Sequence, residues 1–267
     1  IVRGESNALR QRPIPIRLAH RALLACYDAF LAIGKSNRHF YDGYGVAPSR
    51  LFDCRYFVDN DRFSAQRETL QLERPEIRAH WNIPAGSTCF LFAGKLEEKK
   101  RITDLLAALE RALQSGARMH LLVVGDGELR QLAMAQANRS RLPVTFAGFL
   151  NQSHMARAYT AADCLVLPSD HGETWGLVVN EAMACGLPAI VSDRVGCGQD
   201  LVVEGVTGFT FPFANVARLA DLMTDCALDP VRLGELGSRA REHVRAYSIE
   251  NAARATLDAV RYVTGIR

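Results

Sequence analysis

Short runs of consecutive apolar residues recur along the chain: TCFLFA (Thr88 to Ala93), MHLLVVG, PVTFAG, CLVLP (Cys164 to Pro168) and PAIVS. Runs this short, with no polar side, suit strands buried on both faces, as a parallel sheet requires. Between them lie segments that read as helices: an amphipathic stretch from about Thr103, then GELRQLAMAQAN, QSHMARAYTAAD, and GLVVNEAMACG stopped by Gly186. Uninterrupted alternation of strand and helix predicts an α/β, doubly wound, Rossmann-like parallel sheet. From Asn215 the pattern becomes helical, in NVARLADLMTDCAL, PVRLGELGSRAREHVRAY and SIENAARATLDAVRYV, with Ser248 as an expected N-cap.

The first 60 residues differ. RLAHRALLACYDA and KSNRHFYDGYG read as helices, FLAIG and LFDCRYFV as strands. Two βα units fall below the usual domain size of roughly 100 to 150 residues. The expected organisation is therefore a partial unit over 1–60, one well-buried domain over 61–245 and a terminal helix over 246–267.

Two loops carry candidate chemistry. In PSDHGETWGLVVNEAMACGLP, Glu173 precedes and Glu181 lies within the helix expected to begin near Gly176. The turn follows the CLVLP strand, and open α/β sheets bind ligands outside the carboxyl ends of their strands. A helix start offers free N–H groups and the positive end of the dipole, a setting that stabilises phosphate. Glu181 sits about 12 Å further at ~1.5 Å per residue, within the reach of a sugar nucleotide. Carboxylates only accept hydrogen bonds, so the pair suits a hexose and a ribose flanking a diphosphate. The structural alternative makes Glu173 a helix cap and Glu181 a solvated helix residue. In the second loop, GKLEEKKR, Lys95, Lys99, Lys100 and Arg101 crowd together with only Glu97 and Glu98 between them, which suits an anionic ligand or a solvated charged turn. VVGDGELR lacks the third glycine of a dinucleotide fingerprint, so a NAD-dependent dehydrogenase is disfavoured and a tight turn around Asp126 is expected.

ETWGLVVNEAMACGLPAIVSD resembles the signature of the retaining, GT-B-fold nucleotide-sugar glycosyltransferases of glycosyl transferases group 1, related to sucrose synthases and bacterial mannosyltransferases, in which this segment carries a Glu-x7-Glu motif. The resemblance implies that Glu173 meets the donor sugar, that Glu181 holds the ribose, and that backbone amides from Thr174 through Trp175 and Gly176 to Leu177 approach sugar and phosphates. Thr174 replaces the more usual Gly and Trp175 the more usual Phe. GKLEEKKR matches the family's Gly-Arg-Leu and Lys-Gly, with Lys95 in place of Arg, Lys100 on the Lys and Arg101 in place of Gly; both lysines are then expected on the diphosphate. Gly148, Phe149 and Leu150 become candidate neighbours of the base. Residues 1–60 correspond to the end of the family's N-terminal, acceptor-side domain and the connector, residues 61–245 to its nucleotide-sugar-binding domain, and 246–267 to a helix crossing back. The front of the N-terminal domain, which in the family carries the acceptor site and a catalytic His, is expected to be absent.

The implied activity is transfer of a hexose, with retention, from a UDP- or GDP-linked sugar to a glycan or lipid-linked acceptor, without a divalent metal or other cofactor. A non-catalytic nucleotide-sugar-binding fragment and a sugar-nucleotide epimerase of the same fold are the alternatives. Composition agrees with a soluble cytoplasmic chain: 48% hydrophobic, 23% charged and a net charge of +3 are compatible with peripheral contact at an anionic membrane face and too weak to argue for nucleic acid. The seven cysteines are odd in number and form no CxxC pair, which points to neither a disulfide framework nor a zinc site. Asp59-Asn60-Asp61 has the form of a metal-binding Asp-x-Asp but no second acidic cluster, and reads better as a turn. His171, two residues before Glu173, is a candidate for a sugar or phosphate oxygen.

Overall fold

The computed structural model describes residues 1–266. The first unit holds α1 (Ile14–Leu24), β1 (Phe30–Ala32), α2 (Lys35–Gly43) and β2 (Leu51–Asp53), its strands paired in parallel. Then follow α3 (Asn60–Leu70) and α4 (Arg74–His80), which the hydrophobic pattern does not predict. The reason is that α3 buries only Phe63, and α4 only Ile77 and Arg78. Local chemistry starts them instead: Asp59 caps α3 by accepting the amide of Arg62 at 2.9 Å, and Pro75 stands in the first turn of α4. The Asp59-Asn60-Asp61 segment is thus the start of α3, with Asp59 as its cap, in place of the turn expected from the sequence.

The large domain alternates as the apolar runs predict: β3 (Thr88–Ala93), α5 (Ile102–Ala112), β4 (Met119–Val124), α6 (Arg130–Arg139), β5 (Val144–Gly148), α7 (Gln152–Ala161), β6 (Cys164–Leu167), α8 (Leu177–Ala184), β7 (Ala189–Ser192), α9 (Gly198–Leu201) and β8 (Gly208–Phe211). α10 (Val216–Leu228) and α11 (Pro230–Val244) follow, and α12 (Ile249–Thr264) closes the described chain with Ser248 as its cap. α6 begins three residues later than the pattern suggests, because Leu129 donates its amide back to Leu96 and the chain is still in the turn there.

All strands of the large sheet are parallel, in the order β5-β4-β3-β6-β7-β8. Alternate strand residues feed two cores. Leu91, Leu122, Leu165 and Val191 pack with the side of α8 and α11, while Phe90, Phe92, Leu121, Val166 and Ile190 pack with α5 and α10. α12 returns to the first unit: Ala252 and Ala259 pack with Ala29 and Leu31, and Tyr262 stacks on Phe52 at 5.6 Å.

At the amino ends of the strands lies a cavity of about 750 Å³ lined in part by Arg67, Arg74, Arg78 and Asp163. Its cations are already used. Arg67, Arg74 and Arg78 donate to the carbonyls of Tyr159 (2.8 Å), Thr160 (2.8 Å) and Ala161 (2.9 Å), so together they cap the carboxyl end of α7. Arg74 and Arg78 also share Asp163 at 2.6 and 3.2 Å. This end is a clamp on the fold, far from the strand ends that bind ligands in such sheets. Because Arg78 is buried and also donates to the carbonyl of Ser87, Arg78→Met is expected to lower unfolding free energy in urea by about 2 to 3 kcal/mol.

Candidate active site

β3 and β6 are neighbours in the sheet, and from them the order runs outward in opposite directions. This is the topological switch point, where the loops leaving two adjacent strands diverge and open a crevice. The two loops in question are the ones with candidate chemistry: residues 94–101 leave β3 and residues 168–176 leave β6. They are joined by the amide of Asp170, which donates to the carbonyl of Lys99 at 2.9 Å.

Lys100 ends a short 3-10 turn, and Arg101 then takes a left-handed conformation (φ +55°) to enter α5. That geometry explains why a glycine suits the position. Arg101 keeps its place through an ion pair to Asp104 at 2.8 Å and a guanidinium 5.6 Å from the Phe213 ring. Lys100 and Glu173 form an ion pair, with only 12% and 14% of their side-chain surfaces exposed. Ser169 Oγ lies 3.4 Å from the same Glu173 oxygen. Residues assigned to diphosphate and sugar thus meet as one unit. Lys95 does not join them: its side chain is 70% exposed and its ammonium lies 3.7 Å from Glu97, which also binds Lys99 at 3.1 Å. The Lys99 contact, reinforced by the neighbouring lysines, holds the half-buried Glu97 carboxyl below its ordinary range.

The Glu173 loop is shaped by backbone. Gly196 donates its amide to the carbonyl of Glu173 and Cys197 to that of Trp175, each at 3.0 Å. A Cβ at Gly196 would stand 1.8 Å from the Thr174 carbonyl oxygen, so only glycine lets the two segments lie together. Trp175 turns its ring away from the crevice. It is buried, donates from Nε1 to Asn180 at 2.8 Å, and packs between Tyr56 and Tyr247. Only its backbone is available to a ligand. Gly176, at φ +103°, starts α8 with no side-chain cap, and Leu177 at the first position is partly exposed. The first amides of α8 therefore remain free of side-chain caps beside the Lys100–Glu173 pair.

Glu181 lies one turn into α8. Its Oε2 accepts from the Tyr159 hydroxyl at 2.6 Å. Burial raises the Glu181 carboxyl above its ordinary value, with the Tyr159 hydrogen bond and the Arg62 charge acting against it. Glu181 is therefore not a solvated helix residue. The glycine turns after β3, β4 and β5 pack backbone to backbone: Gly94 donates to Val124 at 3.0 Å, Leu96 to Asp126 at 2.9 Å, and Gly125 to Gly148 at 2.8 Å. The candidate base neighbours follow, with Phe149 77% exposed and Leu150 half-buried against the core. Asp126 accepts from Gly127 and Arg130, as a tight turn requires. His171 is exposed.

Four contributors escape sequence reading: Gly34, Tyr159, Asn180 and Asp200. Asp200 is buried and accepts the Lys35 amide at 3.2 and 3.0 Å, which ties α9 to the start of α2 in the first unit; burial raises its carboxyl, and the Lys35 contacts act against that. Tyr247 donates to the Asp200 carbonyl at 3.0 Å. A Cβ at Gly34 would meet the Trp175 ring at 2.2 Å. Each acts through a partner distant in sequence, and no local spacing announces it.

The parallel sheet, its helices and the returning α12 have the architecture of the GT-B glycosyltransferases. The chain belongs to the family described as glycosyl transferases group 1, whose model matches residues 73–245. It is 31% identical over 193 residues to a D-inositol 3-phosphate glycosyltransferase of Arthrobacter sp. (strain FB24), a match covering 69% of this chain and 45% of that one. Among solved structures, sucrose-phosphate synthase from Thermosynechococcus elongatus superimposes with a TM-score of 0.74 at 25% identity, over 96% of this chain and 63% of the other. HepE from Anabaena, solved in complex with UDP and glucose, gives a TM-score of 0.76 at 17% identity, over 99% and 71%. The chain spans about half the length of the curated relatives it matches. Among the described residues no helix is long and apolar enough to cross a membrane.

Since no space exists for a methyl group at Gly196, Gly196→Ala is expected to cost at least ~2 kcal/mol of stability in urea denaturation.

Proposed function

We propose that the crevice at the β3/β6 switch point binds a nucleoside-diphosphate sugar, and that the protein to which this domain belongs transfers the hexose with retention to a glycan or lipid-linked acceptor. The observation that carries the reading is the largely buried Lys100–Glu173 pair beside the uncapped start of α8. An ammonium has three donors and a carboxylate several acceptor sites, so each keeps capacity for a ligand while neutralising the other. In this scheme Lys100 and the amides of Gly176 and Leu177 stabilise the departing diphosphate, Glu173 orients the hexose and Glu181 accepts from the ribose. Lys95 is free to swing toward the diphosphate from its loose contact with Glu97. The exposed Phe149, next to the Gly148 turn, offers a face to the base.

The family supplies the reaction class, and HepE, which has the same fold, was solved with UDP and with UDP-glucose. Charge on the leaving diphosphate is offset by a fixed ammonium and a helix dipole, which makes a divalent metal unnecessary in this scheme. An acceptor attacking from the same face as the departing diphosphate gives retention without a protein nucleophile.

Calorimetric titration with UDP, GDP, ADP and NAD, each with and without EDTA, tests the reading. One nucleoside diphosphate is expected to bind selectively and without response to EDTA. Lys100→Ala should weaken that diphosphate by about 1 to 3 kcal/mol and the free nucleoside far less, while Glu181→Gln should weaken both. Preferred binding of NAD, strict dependence on metal, or unchanged affinities in the folded variants would contradict it. A second expectation follows from burial. The raised Glu181 carboxyl binds a proton more readily in the folded chain than in the unfolded one, so its ionised form costs stability above its folded pKa. At pH 8, Glu181→Gln should then melt no lower than the parent while binding nucleotide less well, and the parent's own affinity should fall on acidification at a pH above the ordinary glutamate range.

A further inference from the structure

Tyr159 is fully buried in the second half of α7, edge-on to Phe63 at 6.0 Å, with its hydroxyl 2.6 Å from Glu181 Oε2. A buried phenol needs a partner for its O–H, and here the carboxylate takes it. The other carboxylate oxygen, Oε1, has no hydrogen-bond partner among the described residues and is not sealed from solvent. We propose that Tyr159 is a positioning residue for ribose recognition: its phenol pins Glu181 by one oxygen and leaves the other aimed at the vicinal hydroxyls of the bound nucleotide. The inference rests on the reading of the crevice as a nucleoside-diphosphate site.

The groups around Glu181 fit this role. Burial, then the Glu181 charge and hydrogen bond, push the Tyr159 phenol well above its ordinary value, so it remains a donor throughout the physiological range. From α3, Arg62 adds a positive charge that favours the carboxylate. Just past the end of α8, the Cys185 thiol is pushed up to about 12, chiefly by burial, and stays neutral. Above its raised pKa the carboxyl is ionised, and with one oxygen taken by the phenol the rotation about its last torsion is restricted. The free oxygen then has a fixed direction, and two lone pairs for the hydroxyls of a diol. A phenol that merely fills the core would leave discrimination between ribose and deoxyribose untouched.

The test is the ratio of affinities for UDP and 2′-deoxy-UDP, read by calorimetry between pH 5.5 and 8 on the parent chain, Tyr159→Phe and Glu181→Gln. Both ligands are read on one preparation, so a partial loss of folded protein cancels in the ratio. The parent is expected to prefer UDP by roughly tenfold or more, the range of one charge-assisted hydrogen bond. Tyr159→Phe should shrink that preference several-fold, leave 2′-deoxy-UDP within about twofold, and move the pH at which preference is lost upward, because the donor that favours the ionised carboxyl is gone. Equal weakening of both ligands, or an unchanged ratio and pH profile, would overturn the inference. If the parent selects GDP or ADP instead, the same ratio is read on that nucleotide and its 2′-deoxy form; if it binds none of them, the site reading itself fails. The pair is then judged by carbon-13 titration of the Glu181 carboxyl, assigned through Glu181→Gln: an upward move in Tyr159→Phe supports the fixed pair, and no move refutes it.

Discussion

The turn at Gly196 and Cys197 lies directly on the backbone of Glu173, Thr174 and Trp175, and the rest of the site depends on that contact. Two backbone hydrogen bonds of 3.0 Å and the absence of a Cβ at Gly196 hold one loop against the other. Once the backbone is held there, Glu173 has one direction open, toward Lys100, and Trp175 has the opposite one, into the core. A loop carrying a buried charge pair is costly unless its geometry is over-determined, because the two ions lose hydration before they gain each other. Here main-chain hydrogen bonds, which need no side-chain ordering, supply the constraint.

The same contact links the site to the first unit. Trp175 packs against Tyr56 and fills the space above Gly34, while α9, just beyond the Gly196 turn, carries the Asp200 carboxylate to the Lys35 amide. Asn180, in the helix that follows the loop, holds the Trp175 indole and donates to the Tyr56 carbonyl at 3.2 Å. The Glu173 loop thus has one face on Lys100 and the other on the neighbouring unit. The backbone of residues 173–176 and the packing of α2 on α9 therefore share the same close contacts.

Much of this architecture is legible in the residue pattern. The apolar runs mark five of the six strands of the large sheet, and β3, β4, β6 and β7 are buried along their whole length, which leaves few polar positions to blur them; the edge strand β8 has no such run. The Lys and Glu loops announce themselves by charge and by the turns that hold them. Residues 60–87 are not legible in the same way: α3 and α4 bury three residues between them and owe their starts to Asp59 and Pro75. In the site, the roles of Gly34, Tyr159 and Asp200 depend on partners from 22 to 165 residues away, contacts that no local spacing encodes. Lys95 is the instructive case of a residue whose motif position is clear and whose side chain nonetheless rests on Glu97, since an exposed lysine is held by whatever counter-charge is nearest.

The central claim is that the Lys100–Glu173 pair and the start of α8 together receive a diphosphate. A crystal structure of this chain with UDP tests it most directly. The diphosphate is expected within hydrogen-bond distance of Lys100 Nζ and the Gly176 or Leu177 amide, with a ribose hydroxyl on Glu181. A diphosphate bound instead among Arg67, Arg74 and Arg78 at the opposite ends of the strands would contradict it.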